Sequence, residues 1–326
     1  MCLSRREEAA GFSPRTSLIS TMRKITPRTA GLSDVVRALR LPFISASVLA
    51  FVFGSLIERR YFNAAGFFLG LAAAVGVHLG ANLINDYADS RSGADWQDTK
   101  FYNFFGGSKL IQEGRFSERW YLWGGVVSFA LSFLCVIALA RLLQDISAVF
   151  FYCIIVLAGI VYSCGPLRLA YRRLGEAAIF VLFGPALVMG GYFIQTGIFP
   201  DTRSLLLSLP FGFLTVNILF ANEVPDYPQD RQAAKHTLVS LTGTEKAYLL
   251  YGFFFFCALA SVGMAVARGY ISPWAWAVAL LAIPGLKAAA VLKNHSRDKM
   301  KLMQSSQITI AIHNGAGVLL ALALFL

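Results

Sequence analysis

The chain has 326 residues, of which 56% are hydrophobic and only 14% charged, with a mean hydropathy of +0.60. Soluble globular domains carry about a quarter charged residues, so this composition excludes a soluble domain and points to a protein that lives in a membrane. The net charge of +11 would also suit a nucleic-acid partner, but its distribution along the chain, given below, leaves nothing for nucleic acid to explain.

Residues 1–34 are polar, basic and without an apolar core of signal-peptide length, and read as a disordered cytoplasmic tail. Residues 35–326 then read as one helical bundle. Crossing the hydrocarbon core takes roughly 17–25 apolar residues. Nine runs qualify, near 41–58, 62–85, 119–140, 147–163, 174–197, 204–222, 246–267, 270–292 and 307–325. They are too long and unbroken for tilted barrel strands, and irregular backbone cannot face lipid. The expected fold is therefore an all-α polytopic membrane protein whose nine transmembrane helices surround a cavity opening on the cytoplasmic side.

Positive loops are retained in the cytoplasm. Of the 29 basic residues, only Arg59, Arg60, Arg141, Arg203 and Arg268 fall in the outer turns when the N-terminus is inside. Topology and attraction to anionic lipid thus account for the charge. The expected location is a bacterial inner membrane, with the functional end facing the cytoplasm. Of the five cysteines, Cys2, Cys135, Cys153, Cys164 and Cys257, none forms a CxxC pair, and they read as buried thiols.

The second run does not end as a lipid-facing helix should. It continues into ANLINDYADSRSGAD, and at 100° per residue His78, Asn82, Asn85 and Asp89 share one face, with Asp86 at its edge. A helix leaving the membrane explains one aspartate but not a stripe that starts two turns earlier, since polar groups at that depth usually face a cavity or a partner. The sixth run repeats the pattern as ANEVPDYPQD. Ala81, Asn82, Asp86 and Tyr87 align with Ala221, Asn222, Asp226 and Tyr227, and the second copy continues to Asp230. The copies lie four helices apart, so both deliver their acids to one level of the bundle.

Facing carboxylates repel unless a cation joins them. Magnesium takes one or two carboxylates together with water and phosphate oxygens, and an apolar bundle implies a lipid-soluble partner. A cation-coupled transporter is the rival reading, although such sites usually sit near the midplane rather than at the membrane margin.

These motifs, with the segments FFGGSKLIQEG, RLAYRRLGE and FGPALVMGGYFIQTG, resemble the UbiA superfamily of intramembrane prenyltransferases, specifically its 1,4-dihydroxy-2-naphthoate polyprenyltransferase branch in menaquinone biosynthesis. The resemblance covers nearly all of the chain after about residue 35. It implies transfer of a polyprenyl chain from prenyl diphosphate to an aromatic acceptor at two Mg²⁺ ions. Asn82, Asp86, Asp89, Asp226 and Asp230 would be the metal-facing residues. The diphosphate would be held by Asn82, Asn222, Lys109, Arg168, Arg172 and Lys235. Lys235 is favoured by its place five residues after Asp230, while the arginines also suit a purely topological role. Tyr162 would either steady a carbocation from the cavity wall or anchor the membrane interface. Gly106 and Gly107 would either admit a phosphate or simply give a flexible loop. The acceptor stays open, with 4-hydroxybenzoate, another quinone precursor, a tetrapyrrole or a glycerol phosphate as alternatives.

Overall fold

The computed structural model describes residues 30–326, so most of the expected tail lies outside the described residues. Its last part is not disordered, because a short helix α1 begins at Leu32 (Leu32–Ala38). Eight further segments of apolar chain follow a ninth: α2 (Ile44–Leu56), α3 (Ala64–Ser92), α4 (Glu118–Leu143), α5 (Ser147–Ser163), α6 (Gly175–Thr196), α7 (Thr202–Gln232), α8 (Val239–Ala267), α9 (Pro273–Asn294) and α10 (Lys299–Ala323). Each lies on one of the nine expected runs. Seven of them are long and apolar enough to cross a membrane. An eighth crossing is obtained if α1 and α2, bent by 45° at Arg40 and Pro42, are one span. Helix α5, with 17 residues, falls just short. The chain is a multi-pass, all-helical membrane protein.

Caps fix where the helices start. The side chains of Asn63, Ser117, Asp201 and Asp298 accept hydrogen bonds from the first-turn N–H groups of α3, α4, α7 and α10, which have no partner within the helix. Helix α3 stops at Gly93, whose φ of +88° suits only a left-handed cap. Both α3 and α7 run well past the apolar windows seen in sequence, to Ser92 and Gln232, and these extensions carry the aspartates.

Helix α7 is the axis of the bundle, with 72% of its apolar window buried, against 17% for α4. Small residues make this possible. A Cβ on Gly212 or Gly184 would meet the facing backbone of α6 or α7 at about 3 Å, so the two helices touch along their main chains. Helix α6 bulges to a π-turn at Leu182–Ala186 around Pro185, which aims Phe183 edge-on at the His78 ring. On the lipid side, Trp123, Leu131, Leu134, Phe253 and Phe256 are exposed, as membrane helices require. The thiols differ from expectation. Among the described residues none is buried, and Cys153 is exposed on the outer face of α5.

The two ends of the bundle are knitted differently. At one end Arg203 donates to the Tyr270 carbonyl and pairs with Glu58, and Gln195 accepts from the Asn63 N–H. At the other, the loops after α3, α5, α7 and α9 converge on the aspartates. Between α3 and α7 a cavity of about 770 Å³ opens at this second end and extends to Phe51, Gly70, Phe193 and Ile194 near the opposite side.

Candidate active site

Helix geometry places His78, Asn82, Asn85 and Asp89 along the cavity wall, as their spacing predicts. Each polar group is held. Nδ1 of His78 meets the Ser47 hydroxyl, Asn82 Nδ2 donates to the Leu39 carbonyl at 3.4 Å, and Asn85 Nδ2 donates to Ser163 Oγ at 2.8 Å and to Asp89 Oδ2 at 3.3 Å. Asp89 Oδ1 accepts from the Tyr171 hydroxyl at 2.7 Å. Asp86 turns behind the stripe. It is 2% exposed, paired with the Arg40 guanidinium, and accepts the Ser108 N–H at 3.3 Å.

Across the cavity, α7 presents Asn222, Glu223, Asp226, Gln229 and Asp230. Asp226 Oδ2 accepts the Gly106 N–H at 2.8 Å, and Asp230 Oδ1 lies 3.3 Å from the Lys235 ammonium. Asn222 Oδ1, Glu223 Oε2, Gln229 Oε1 and Asp230 Oδ2 are buried with no hydrogen-bond partner. Four orphaned oxygen acceptors on one helix face are costly unless a donor or cation meets them. This oxygen set fits a hard divalent cation. Among the described residues no three His, Cys, Asp or Glu side chains converge on one point. Mg²⁺ is commonly bound through one or two carboxylates plus substrate phosphate rather than by an all-protein cage.

The segment between the clusters explains the glycine pair. Gly106 and Gly107 have φ of +77° and +76°, conformations that only glycine adopts freely. A Cβ on Gly107 would lie 2.9 Å from Asp95 Oδ2 and 3.3 Å from Asp86 Oδ1. The backbone therefore runs between the carboxylates and binds one cluster through Gly106 and the other through Ser108. Lys109 is 4% exposed and grips Asp95, at 2.9 Å to Oδ1 and 3.1 Å to its carbonyl. Burial pushes the Asp95 carboxyl up to about 7 against the pull of Lys109, with Asp89 and Asp86 adding to the rise.

The four basic candidates separate. Lys109 and Lys235 line the cavity. Burial works against the Lys235 ammonium, yet Asp230 and Asp89 beside it hold it well above the ordinary lysine value, so it stays charged. Arg168 and Arg172 lie off the cavity. The Arg168 guanidinium sits 5.4 Å over the Tyr171 ring, and Arg172 donates to the Pro166 carbonyl in an exposed turn. The reason is backbone pairing. Arg173 N–H donates to the His236 carbonyl at 2.7 Å and His236 N–H to the Tyr171 carbonyl at 3.2 Å, which turns Tyr171 and Lys235 inward and leaves the neighbouring arginines outside. Tyr162 does line the cavity, near the inner end of α5.

Sequence reasoning missed Arg40, Tyr171, Asp95 and Glu223. Tyr171 lies in the quoted RLAYRRLGE segment but reads as one more interfacial tyrosine. Its hydroxyl joins Asp89 to Ser92 and its ring lies 5.8 Å from the Lys235 ammonium.

Comparison with known proteins agrees with this geometry. The UbiA prenyltransferase family matches residues 46–310. The 1,4-dihydroxy-2-naphthoate octaprenyltransferase of Haemophilus influenzae is 27% identical over 296 residues, 86% of this chain and 92% of the relative. Among solved structures, an apo UbiA homolog from Aeropyrum pernix superposes with a TM-score of 0.64 at 19% identity, over 84% of this chain and 96% of that one. A UbiA homolog from Archaeoglobus fulgidus bound to GPP and Mg²⁺ gives 0.53 at 16% identity, over 87% and 98%. With the family matched over residues 46–310 and the fold shared over 84–87% of the chain, this protein belongs to the UbiA prenyltransferase family.

Proposed function

We propose that this protein transfers a polyprenyl chain from prenyl diphosphate to an aromatic acceptor within the membrane, and that the acceptor is 1,4-dihydroxy-2-naphthoate. The observation that carries the reading is the pairing of two carboxylate clusters with the buried Lys109 and the half-buried Lys235 at the mouth of a long apolar cavity. The named relative supports the acceptor, and the homolog bound to GPP and Mg²⁺ supports the donor.

Asp86 and Asp89 on α3, with Asn82, would hold one Mg²⁺ against the diphosphate, and Asp226 and Asp230 on α7 a second. Bound there, Mg²⁺ supplies positive charge to the departing diphosphate. Asn222 and the ammonium groups of Lys235 and Lys109 face the same group from the chain's side. Because these charges are fixed before the bond breaks, they cost no reorganisation as negative charge develops. Arg40 and Lys109, now tied to Asp86 and Asp95, keep the carboxylates neutralised until the substrate arrives. Below them the cavity wall is aromatic and aliphatic, with Phe51, Val136, Phe151, Phe183 and Phe193. It excludes water from the allylic carbon, and the Tyr162 ring can face the cation formed there. We place the site on the cytoplasmic face of a bacterial inner membrane, where its loops carry most of the basic residues.

Purified protein given a prenyl diphosphate, Mg²⁺ and 1,4-dihydroxy-2-naphthoate should yield the decarboxylated prenyl naphthol by mass spectrometry. Prenylation of 4-hydroxybenzoate alone would reassign the acceptor.

A further inference from the structure

Where the loop between α5 and α6 meets the end of α7 and the start of α8, there is a second, smaller cavity of about 250 Å³. Arg173, Tyr227, Arg231, Lys235, His236 and Ser240 line it, and Lys235 is common to its wall and to that of the main cavity. No lining residue is acidic. In the main cavity Arg40, Lys109, Lys235 and Lys299 are paired with Asp86, Asp95, Asp230 and Asp98. Among the described residues Arg173 and Arg231 have no such partner, because the acids near them in the chain are used elsewhere. Asp230 faces Lys235 at 3.3 Å, Glu176 accepts the Leu238 N–H, and Glu245 pairs with Arg297.

Arg173 is held in place rather than trailing into solvent. Its φ of +58° lies in the left-handed region that disfavours every side chain. Its N–H donates to the His236 carbonyl at 2.7 Å, and its Nε donates to Ser240 Oγ at 3.1 Å, while Ser240 donates in turn to the Thr237 carbonyl at 2.6 Å. These contacts use one guanidinium nitrogen. The two terminal nitrogens have no partner among the described residues, and a guanidinium fork so oriented matches two oxygens of a phosphate. Retention of positive loops explains basic residues on this face in general. It does not explain bases gathered around a concavity without acids, where one sign of charge focuses its field on an anion.

We infer that this second cavity holds the phosphate headgroup of an anionic phospholipid from the leaflet on the active-site side. Leu174 and Leu241, the chain neighbours of Arg173 and Ser240, are 48% and 59% exposed, so hydrocarbon reaches the rim of the cavity. A lipid there sets its chains against the leucines and its phosphate among the arginines, as basic pockets between membrane helices do for anionic headgroups. A soluble phosphate would use the arginines and leave the leucines without a role. The bound headgroup braces the pairing of Arg173 with His236 that turns Tyr171 and Lys235 inward. The inference is independent of the prenyl-transfer reading, since neither arginine lines the main cavity.

The test is native mass spectrometry of the purified protein in detergent, titrated separately with phosphatidylglycerol, phosphatidylcholine and inorganic diphosphate. Wild type should retain one phosphatidylglycerol more tightly than any phosphatidylcholine. A basic residue at the membrane surface is worth about fivefold in binding an anionic lipid. Arg231→Gln, which breaks no hydrogen bond within the protein, should therefore weaken that lipid about fivefold, and the Arg173→Gln, Arg231→Gln pair about 25-fold, with phosphatidylcholine unaffected. Arg119→Gln with Lys293→Gln removes two exposed charges from the same end of the bundle and should change retention by less than about twofold. An unchanged unfolding temperature certifies the variants, and Arg231→Gln alone still decides the matter if the pair does not fold. Equal retention of the two lipids by wild type, no loss in Arg231→Gln, or an equal loss in the control pair would overturn the site. Diphosphate binding that the arginine variants abolish, without a preference for phosphatidylglycerol, would give the cavity to a soluble anion instead. Because the readout is lipid retention, the result stands whether or not the protein prenylates any acceptor.

Discussion

Gly107→Ala is a perturbation whose consequence follows from a few distances. The residue has φ of +76°, where a side chain costs about 1–2 kcal/mol. Its new Cβ would stand 2.9 and 3.1 Å from the two Asp95 oxygens and 3.3 Å from Asp86 Oδ1. Relieving such overpacking typically costs a further 1–3 kcal/mol or so. The atoms that must yield belong to the carboxylate cluster or to the backbone that Gly106 and Ser108 tie to Asp226 and Asp86. Some 2–5 kcal/mol lost from transition-state positioning slows turnover by about 30-fold to several thousandfold. The same strain can lower stability by no more than that amount, and by less where the loop alone rearranges to relieve it. Gly252→Ala is the control: a Cβ there meets nothing within 4 Å on α8, and the change should stabilise the helix by up to about 1 kcal/mol. The assay is steady-state prenyl transfer beside a thermal-unfolding scan of both variants in detergent. Gly107→Ala with wild-type turnover would refute the claim that this backbone is clamped between the carboxylates.

Asp226→Asn keeps the size and the Gly106 contact but removes one charge, worth about 4 kcal/mol against a unit charge at 4 Å in an effective dielectric of 20. Turnover measured by radiolabelled transfer should fall at least about a hundredfold, and the Asp86→Asn, Asp226→Asn double variant should lose little beyond the worse single one. Tyr171→Phe removes the 2.7 Å hydrogen bond that orients Asp89 and should raise the Mg²⁺ concentration for half-maximal activity by about 10–100-fold, as loss of outer-shell partners does. Asp98→Asn breaks only the pair with Lys299 at the mouth and should stay within about threefold of wild type, a partly exposed pair being worth about 1 kcal/mol or less. In a background lacking native cysteines, single cysteines at positions 173 and 297 should label from the cytoplasmic side, and those at 60 and 199 only from the other.

The repeated aspartate face was legible because its residues share a helix, where spacing alone fixes direction. The same holds for the apolar runs, each of which is found on a helix, although length and hydropathy admit seven or eight crossings rather than the nine expected. Residues brought in from other elements were not legible. Arg40 reaches Asp86 across 46 positions of chain, and no periodicity connects them. Arg168, Arg172 and Lys235 read alike as basic loop residues. Only the pairing of Tyr171 and Arg173 with His236 decides which side chain enters the cavity. Glu223 did carry a signal: it is an ionisable residue of the second motif that stands opposite an apolar one, Leu83, in the first.

The central claim is that both aspartate clusters act through Mg²⁺ on one prenyl diphosphate whose chain lies in the cavity. The most direct measurement is mass spectrometry of the product formed by purified protein from a prenyl diphosphate and a panel of aromatic acceptors, with Mg²⁺ present or chelated. The account predicts a prenylated, decarboxylated naphthoate product that vanishes with chelator and returns when Mg²⁺ is restored. Full turnover in excess chelator, or no prenylated product from any aromatic acceptor, would contradict it.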